Sequence, residues 1–401
     1  MSGTSRRVMV LGVRPNQEAI YRAAKTLDLE VIGVDPEPDP TTARLVDRIE
    51  IADLADLRTL LGIAEQWRPD GVCTFAADYP VRATAQLCEA LDLPGLSVAS
   101  AERSTDKAQM RSILQSSGIP VPHAIESRSA ADAARSRSEF RGDIIVKPVD
   151  SSGGRGVAKL TRDESSKRFD WAFARAAAES RTGRVLVEDY VDGPEYSVEA
   201  VTVDGQFSAL AVTKKTTSGP PYFVEMAHEQ PSLLPDNLRK AVESVARECA
   251  NALGIDASPS HAEVRLGPAG PTLIEIGARC GGGQIASHLV PISTGIDLAR
   301  CCLQIALGES PDLTPTRSRA GVVRFLEPVP GSVVSVDGIA HALEVAGIHD
   351  VQVLVEVGGR VRPYQDARDR IGYVIAEGAT VGEAADACAK AMDQIVIETT
   401  E

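Results

Sequence analysis

Residues 8–13, VMVLGV, form a short unbroken apolar run that stops at the turn RPN. Residues 17–29, QEAIYRAAKTLDL, place apolar side chains at helical spacing, and residues 30–40, EVIGVDPEPDP, return to an apolar run closed by Asp35 and prolines. Strand, helix, strand at this spacing predicts a βαβ unit and a parallel sheet. The alternation continues through a helix at 56–67, a strand at 71–76 and a helix at 81–91, so the first segment reads as a small open α/β domain. A helix at 105–118 follows, with Thr105 as the expected N-cap and Gly118 as the expected C-cap. Residues 128–141 read as a surface helix. Strands at 143–149 and 156–160 then flank a glycine loop, and a helix at 164–179 and a strand at 184–191 complete an α+β unit. From residue 195 the pattern turns antiparallel, with strands at 195–205 and 206–216 joined at Asp204–Gly205. A long helix at 232–254 precedes strands at 258–266 and 271–280. Residues 317–401 predict further strands, a helix at 337–346 and a last helix at 380–393 followed by IVIE. No linker is long or low in complexity, so the domains are expected to pack together.

Composition narrows the classes. The 401 residues suffice for two or three domains, and 43% apolar with 24% charged residues is globular. A formal charge of −14 argues against a nucleic-acid partner, because phosphate backbones are bound by clustered Lys and Arg. No apolar run approaches the roughly 20 residues of a membrane span, and MSGTSRR carries no signal-peptide pattern. The seven cysteines are odd in number and form no CxxC pair, which excludes a disulfide framework or zinc site and leaves a reducing cytoplasm as the expected compartment.

The stretch VKPVDSSGGRGV, residues 146–157, carries the first candidate chemistry. A Walker A loop needs its lysine after the glycines and a helix next, but Lys147 precedes them and the strand VAKL follows. A dinucleotide fingerprint needs GxGxxG between strand and helix, which SSGGRG lacks. The remaining reading is a strand–loop–strand flap whose backbone N–H groups cover phosphates while the lysine reaches them. An ordinary glycine turn is the plain alternative for the loop taken alone. Further on, SHAEVRL and TLIEIGAR place Glu263 and Glu275 on two neighbouring strands, an oxygen-rich pair suited to Mg²⁺. The plain alternative there is a carboxylate at the solvent end of a strand; a metal-bound polyphosphate under the flap favours the metal.

The order Lys107, Lys147 with its flap, Glu188, Glu195, Glu263, Glu275 and Arg279 resembles the ATP-grasp superfamily of carboxylate–amine ligases across nearly the whole chain. TSGPPYFVEMAHEQPS, SHAEVRL and LIEIGARCGGGQIASHLVPISTGIDL look most like the L-amino-acid, dipeptide-forming branch. The resemblance implies an ATP-grasp fold of mixed α/β and α+β class. Its parts are a Rossmann-like N-terminal α/β domain with a linking helix (1–118), a mobile α+β lid (119–191), a central antiparallel-sheet catalytic domain (192–316) and a C-terminal α+β segment packed on it (317–401). It implies ATP contacts from Lys107, Lys147, the flap residues Ser151, Ser152, Gly153, Gly154 and Gly156, the hinge Glu188, Asp189 and Val191, and the ribose-binding Glu195. Glu263 and Glu275 would hold Mg²⁺, with Mn²⁺ an acceptable substitute. Glu275, Lys215 near the γ-phosphate, and Arg279 on the substrate carboxylate and acyl-phosphate are the implied catalytic groups. Glu225, His228, Gly282 and Gly283 are candidate substrate contacts, with a solvated loop as the alternative for PPYFVEMAH. His261 reads as packing behind the site and Cys280 as core.

One position departs from the superfamily motif Glu-x-Asn-x-Arg: Gly277 stands where the Asn would be and offers no side-chain ligand. The implied reaction is ATP-dependent joining of a carboxylate to an amine, with small-molecule partners and a homodimer expected. Two rivals share this ATP site, a bicarbonate-dependent carboxylase and a non-catalytic nucleotide-binding regulator. A Rossmann dehydrogenase is disfavoured, since VLGVRPNQ lacks the fingerprint glycines.

Overall fold

The structure is a computed structural model and describes residues 5–327 and 329–400. The first apolar runs form a parallel sheet of β1 (Arg7–Leu11), β2 (Glu30–Val34), β3 (Arg48–Glu50) and β4 (Gly71–Cys73), in the order β3-β2-β1-β4. Val8, Val10 and Val31 face one core, while Met9, Leu11, Ile32 and Val34 face another. A sheet covered on both faces needs such unbroken apolar strands.

The second sheet holds β5 (Ala124–Ser127), β6 (Ile144–Pro148), β7 (Ala158–Leu160) and β8 (Val185–Asp189), in the order β5-β8-β6-β7. The helix Ser166–Glu179 packs on it through Phe169, Ala172, Phe173 and Ala176. The glycine loop joins β6 to β7, as the flap reading requires.

The central sheet contains β9 (Glu195–Val203), β10 (Gln206–Thr217), β11 (Glu225–Gln230), β12 (Ser258–Gly267), β13 (Gly270–Gly277) and β14 (Ala320–Phe325). The segment after residue 316 also contains β15 (Gly331–Asp337), β16 (Ile348–Val353), β17 (Arg360–Val361), β18 (Gly372–Gly378) and β19 (Val396–Thr400). Eight strands run β13-β12-β9-β10-β11-β14-β18-β16, so the C-terminal segment extends the central sheet as well as adding the small sheet β17-β15-β19.

Alternation along the central strands separates structure from chemistry. Tyr196, Val198, Val212, Ala262, Val264 and Ile276 pack with Val242, Val245, Ala246, Cys249, Ala250 and Leu253 of the helix Asp236–Leu253. The intervening positions put Glu195, Glu199, Lys215, His261, Glu263 and Arg265 on the other face.

Several expectations shift. Thr105 does not cap the helix that follows it: it ends an unpredicted helix, Val98–Thr105. Asp106 is the cap of Lys107–Ser116, accepting from the Ala108 and Gln109 N–H groups at 3.0 Å each. The expected helix at 128–141 breaks after Arg135 into one tight turn. PPYFVEMAH is not a solvated loop throughout, because Glu225 opens β11. Residues 285–306, to which the sequence reading gave no element, form a π turn and the helices Val290–Thr294 and Leu298–Ala306, buried against β1 and β4. Among the described residues no single helix is long and apolar enough to cross a membrane.

Gly193 links β8 to β9 at φ 125°, and a Cβ there would lie 2.3 Å from the Leu266 carbonyl oxygen. Gly193→Ala is therefore expected to cost about 1–3 kcal/mol through backbone strain and overlap. An unchanged urea midpoint would refute this.

Candidate active site

The N-terminal sheet, the second sheet and the central sheet, with their loops, enclose a cavity of about 380 Å³. Of the residues singled out in the sequence, Lys107, Lys147, Ser151, Ser152, Gly153, Gly154, Glu188, Asp189, Val191, Glu195, Lys215, Glu225, Glu263, Glu275, Arg279, Gly282 and Gly283 all line it. Gly156 and His228 do not. Gly156 instead fits against Pro148 and the helix at Ala176 and Glu179, within 3.2 Å of where a Cβ would sit. Gly153 and Gly154 both adopt positive φ, 66° and 72°, which turns the loop over the cavity.

Glu263 and Glu275 pair directly across β12 and β13. Each carboxylate holds a lysine, Glu263 to Lys215 at 2.5 Å and Glu275 to Lys107 at 2.9 Å. Lys107 also donates to the Ser151 carbonyl at 2.6 Å, tying the flap to this pair. Two hard carboxylate oxygens fit Mg²⁺. Among the described residues no group of three His, Cys, Asp or Glu is arranged to hold a metal ion by itself, so phosphate oxygens and water would complete its coordination. Gly277 adds nothing to that set.

Lys215, its side chain 1% exposed, lies between three carboxylates: Glu263, Glu225 at 2.6 Å and Glu195 at 3.1 Å. Burial would lower its pKa, but Glu225, Glu263 and Glu195 outweigh burial and hold it well above the ordinary lysine value. Glu263 is correspondingly lowered: burial opposes its charge, and Lys215 and His261 overcome burial. His261 ion-pairs with Glu199; burial would push it down, yet Glu199 raises it to about 9. Glu199 also accepts from the Gly281 N–H at 3.0 Å, so this pair shapes the glycine turn after Arg279.

Two of the expected contact residues also have partners within the protein. The Glu188 carboxylate lines the cavity and is buried between Lys147 and Arg111, pairing with both cations. His228 is fully buried behind the wall, and its Nδ1 lies 2.8 Å from the Gly283 carbonyl. A carbonyl only accepts, so Nδ1 carries the proton. Nε2 faces Glu225 at 3.4 Å, so any influence on a substrate passes through Glu225.

Four participants escaped the sequence reading. Arg265 grips Glu195 through Nε and Nη2 at 3.1 Å each and donates to the Val191 carbonyl at 3.0 Å. Arg370 reaches back from the C-terminal segment to Glu225 at 2.7 Å. Arg111 braces Glu188, and Asp78 pairs with Arg279 at 3.0 Å. Period-two spacing from Glu263 would have found Arg265, and helical spacing from Lys107 would have found Arg111. Asp78 and Arg370 carry no local signal.

Comparison with known proteins agrees with this geometry. The ATP-grasp domain family model matches residues 140–288, and the model for L-amino acid ligase C-terminal domain 2 matches residues 324–400. The chain belongs to the ATP-grasp ligases. This ATP-grasp ligase is 29% identical over 378 residues to the uncharacterized protein y4rH of Sinorhizobium fredii, covering 92% of this chain and 78% of that protein. It is 25% identical over 276 residues to the alanine–anticapsin ligase of Bacillus subtilis, covering 63% of this chain and 57% of that enzyme. The crystal structure of an L-amino acid ligase from Bacillus licheniformis shares the fold over 100% of both chains, with a TM-score of 0.86 at 24% identity.

Proposed function

We propose that this ATP-grasp ligase activates the carboxylate of an amino acid or small acid as an acyl-phosphate and transfers the acyl group to an amine, releasing ADP and phosphate. The supporting observation is the convergence in one cavity of Lys107, Lys147 and the flap with the opposed Glu263–Glu275 pair and Arg279. Mg²⁺ bound with the nucleotide would neutralise phosphate charge between Glu263 and Glu275, with Mn²⁺ able to replace it. Lys147 and Lys107 bind and orient the phosphates, and Lys215 faces the γ-phosphate once it leaves its carboxylates. Arg279 holds the substrate carboxylate and then the acyl-phosphate; a planar guanidinium suits both anions. Glu225, braced by Lys215 and Arg370, takes the substrate ammonium. The lid, residues 119–191, keeps water from the acyl-phosphate when closed. A cytoplasmic homodimer serving specialised-metabolite synthesis completes this reading.

The test is product analysis of MgATP incubated with pooled amino acids, with and without bicarbonate. ADP and phosphate formed only with amino acids are expected. Formation that requires bicarbonate would move the protein to the carboxylases, and AMP with pyrophosphate would overturn the acyl-phosphate. Tight MgATP binding with no turnover on any acid would favour the regulator.

A further inference from the structure

Asp78 lies in the loop after β4 of the N-terminal sheet, 201 residues from Arg279, yet its carboxylate meets the guanidinium edge-on. Its Oδ1 accepts from Nε at 3.0 Å and its Oδ2 accepts from Nη2 at 3.1 Å. Nη1 donates to the Cys280 carbonyl at 3.1 Å. A guanidinium has five N–H donors in a rigid fork. Three are thus occupied, and one remains on each terminal nitrogen. Both side chains are largely buried, at 20% and 11% exposure, and both line the cavity.

The second observation is Gly277. A Cβ built there would lie 3.0 Å from Asp78 Oδ1 and 3.2 Å from Arg279 Nε. A methyl group there would need Asp78 and Arg279 to give by a few tenths of an ångström, a shift their two-bond pairing resists. Gly277 sits at the end of β13, two residues beyond Glu275 and two before Arg279. The space beside this strand end is filled by a carboxylate delivered from another domain.

We propose that Asp78 is a positioning residue that pins Arg279 by one edge, and that Gly277 is required to admit it. The pin does two things. It leaves the two remaining guanidinium donors for the carboxylate or phosphoryl group of a substrate. It also holds Arg279 off Glu275 and Glu263, the neighbouring carboxylates with which an unpinned guanidinium would pair. Because Asp78 belongs to the N-terminal domain, Arg279 is set for anion binding only when that domain is docked on the central sheet.

This inference rests on the ligase reading for the role of Arg279, but the pinning itself does not. Asp78→Asn, Gly277→Ala and the double variant are compared for ADP-forming turnover and for MgADP affinity by calorimetry. Each single variant is expected to lower kcat about 10²-fold, the scale set by a misplaced catalytic group, while the MgADP Kd stays within about threefold. The double variant is expected to be no slower than the slower single one, since both remove the same contact. Losses that multiply in the double variant, or Asp78→Asn turnover within about threefold of wild type, would overturn the proposal. Wild-type protein that binds MgADP but turns over no amino acid would instead defeat the ligase reading. In that case the guanidinium ¹⁵N resonances of Arg279, assigned by their loss in Arg279→Lys, decide the pinning. They are expected to show hindered rotation in wild type and to collapse in Asp78→Asn; unchanged spectra would overturn the proposal independently of activity.

Discussion

Arg279→Ala is expected to lower kcat by about 10²–10³-fold, the usual loss when one preorganised donor to a developing anion is removed. The effect should fall on turnover with either substrate saturating, because the guanidinium matters most when charge builds on the acyl-phosphate and the tetrahedral intermediate. MgADP affinity should change little, since on the proposed reading the nucleotide would be held by Lys107, Lys147 and the flap, which line the same cavity. Folding must be verified beside the kinetics, because the substitution also strands Asp78. That carboxylate is kept ionised against its burial by Arg279. A folded Arg279→Ala protein with near-normal turnover would remove Arg279 from the reaction.

The second large effect is on stability. Glu188, Lys147 and Arg111 have side chains only 3%, 5% and 4% exposed. Glu188→Gln leaves two buried cations without their shared carboxylate, so unfolding free energy is expected to drop by about 3–5 kcal/mol. Burial lowers the pKa of Lys147, and the opposing pull of Glu188 would be lost. The effect carries a pH signature. Burial alone would raise the pKa of Glu188, but Arg111 and Lys147 outweigh it and hold the carboxyl below its ordinary value. A depressed folded-state pKa gives a stabilisation that is complete above the unfolded value, near pH 4.3. It is lost as pH falls through the folded value. The gap between wild type and Glu188→Gln in urea should therefore stay constant from about pH 7 to 5 and narrow below about pH 4. A small gap at pH 7, or one that does not narrow in acid, would contradict this account.

Much of this site is legible along the chain because its groups sit on regular strands. Lys147 ahead of the glycines, in a strand–loop–strand context, is enough to exclude a Walker A loop. Glu263 and Glu275 can be paired because two short strands adjacent in sequence tend to be neighbours. Where those groups find their partners is not legible. Glu188 looks like a hinge residue in VLVEDY, but whether its carboxylate faces a nucleotide or an ion pair depends on Arg111, which a helix brings from 77 positions earlier. His228 looks available in PPYFVEMAH, but β11 places it behind Glu225.

The sequence by itself determined the strand and helix periods, the separation of an apolar face from a charged face on the central strands, the flap, and the set of cations and carboxylates that mark an ATP-grasp ligase. These are local properties, set by the two-residue and 3.6-residue repeats of strand and helix. The tertiary structure alone decided which charges neutralise one another. Asp78 with Arg279, Arg370 with Glu225 and Arg111 with Glu188 join residues far apart in the chain. Their meeting follows from how the N-terminal and C-terminal segments dock on the central sheet, which no local repeat encodes.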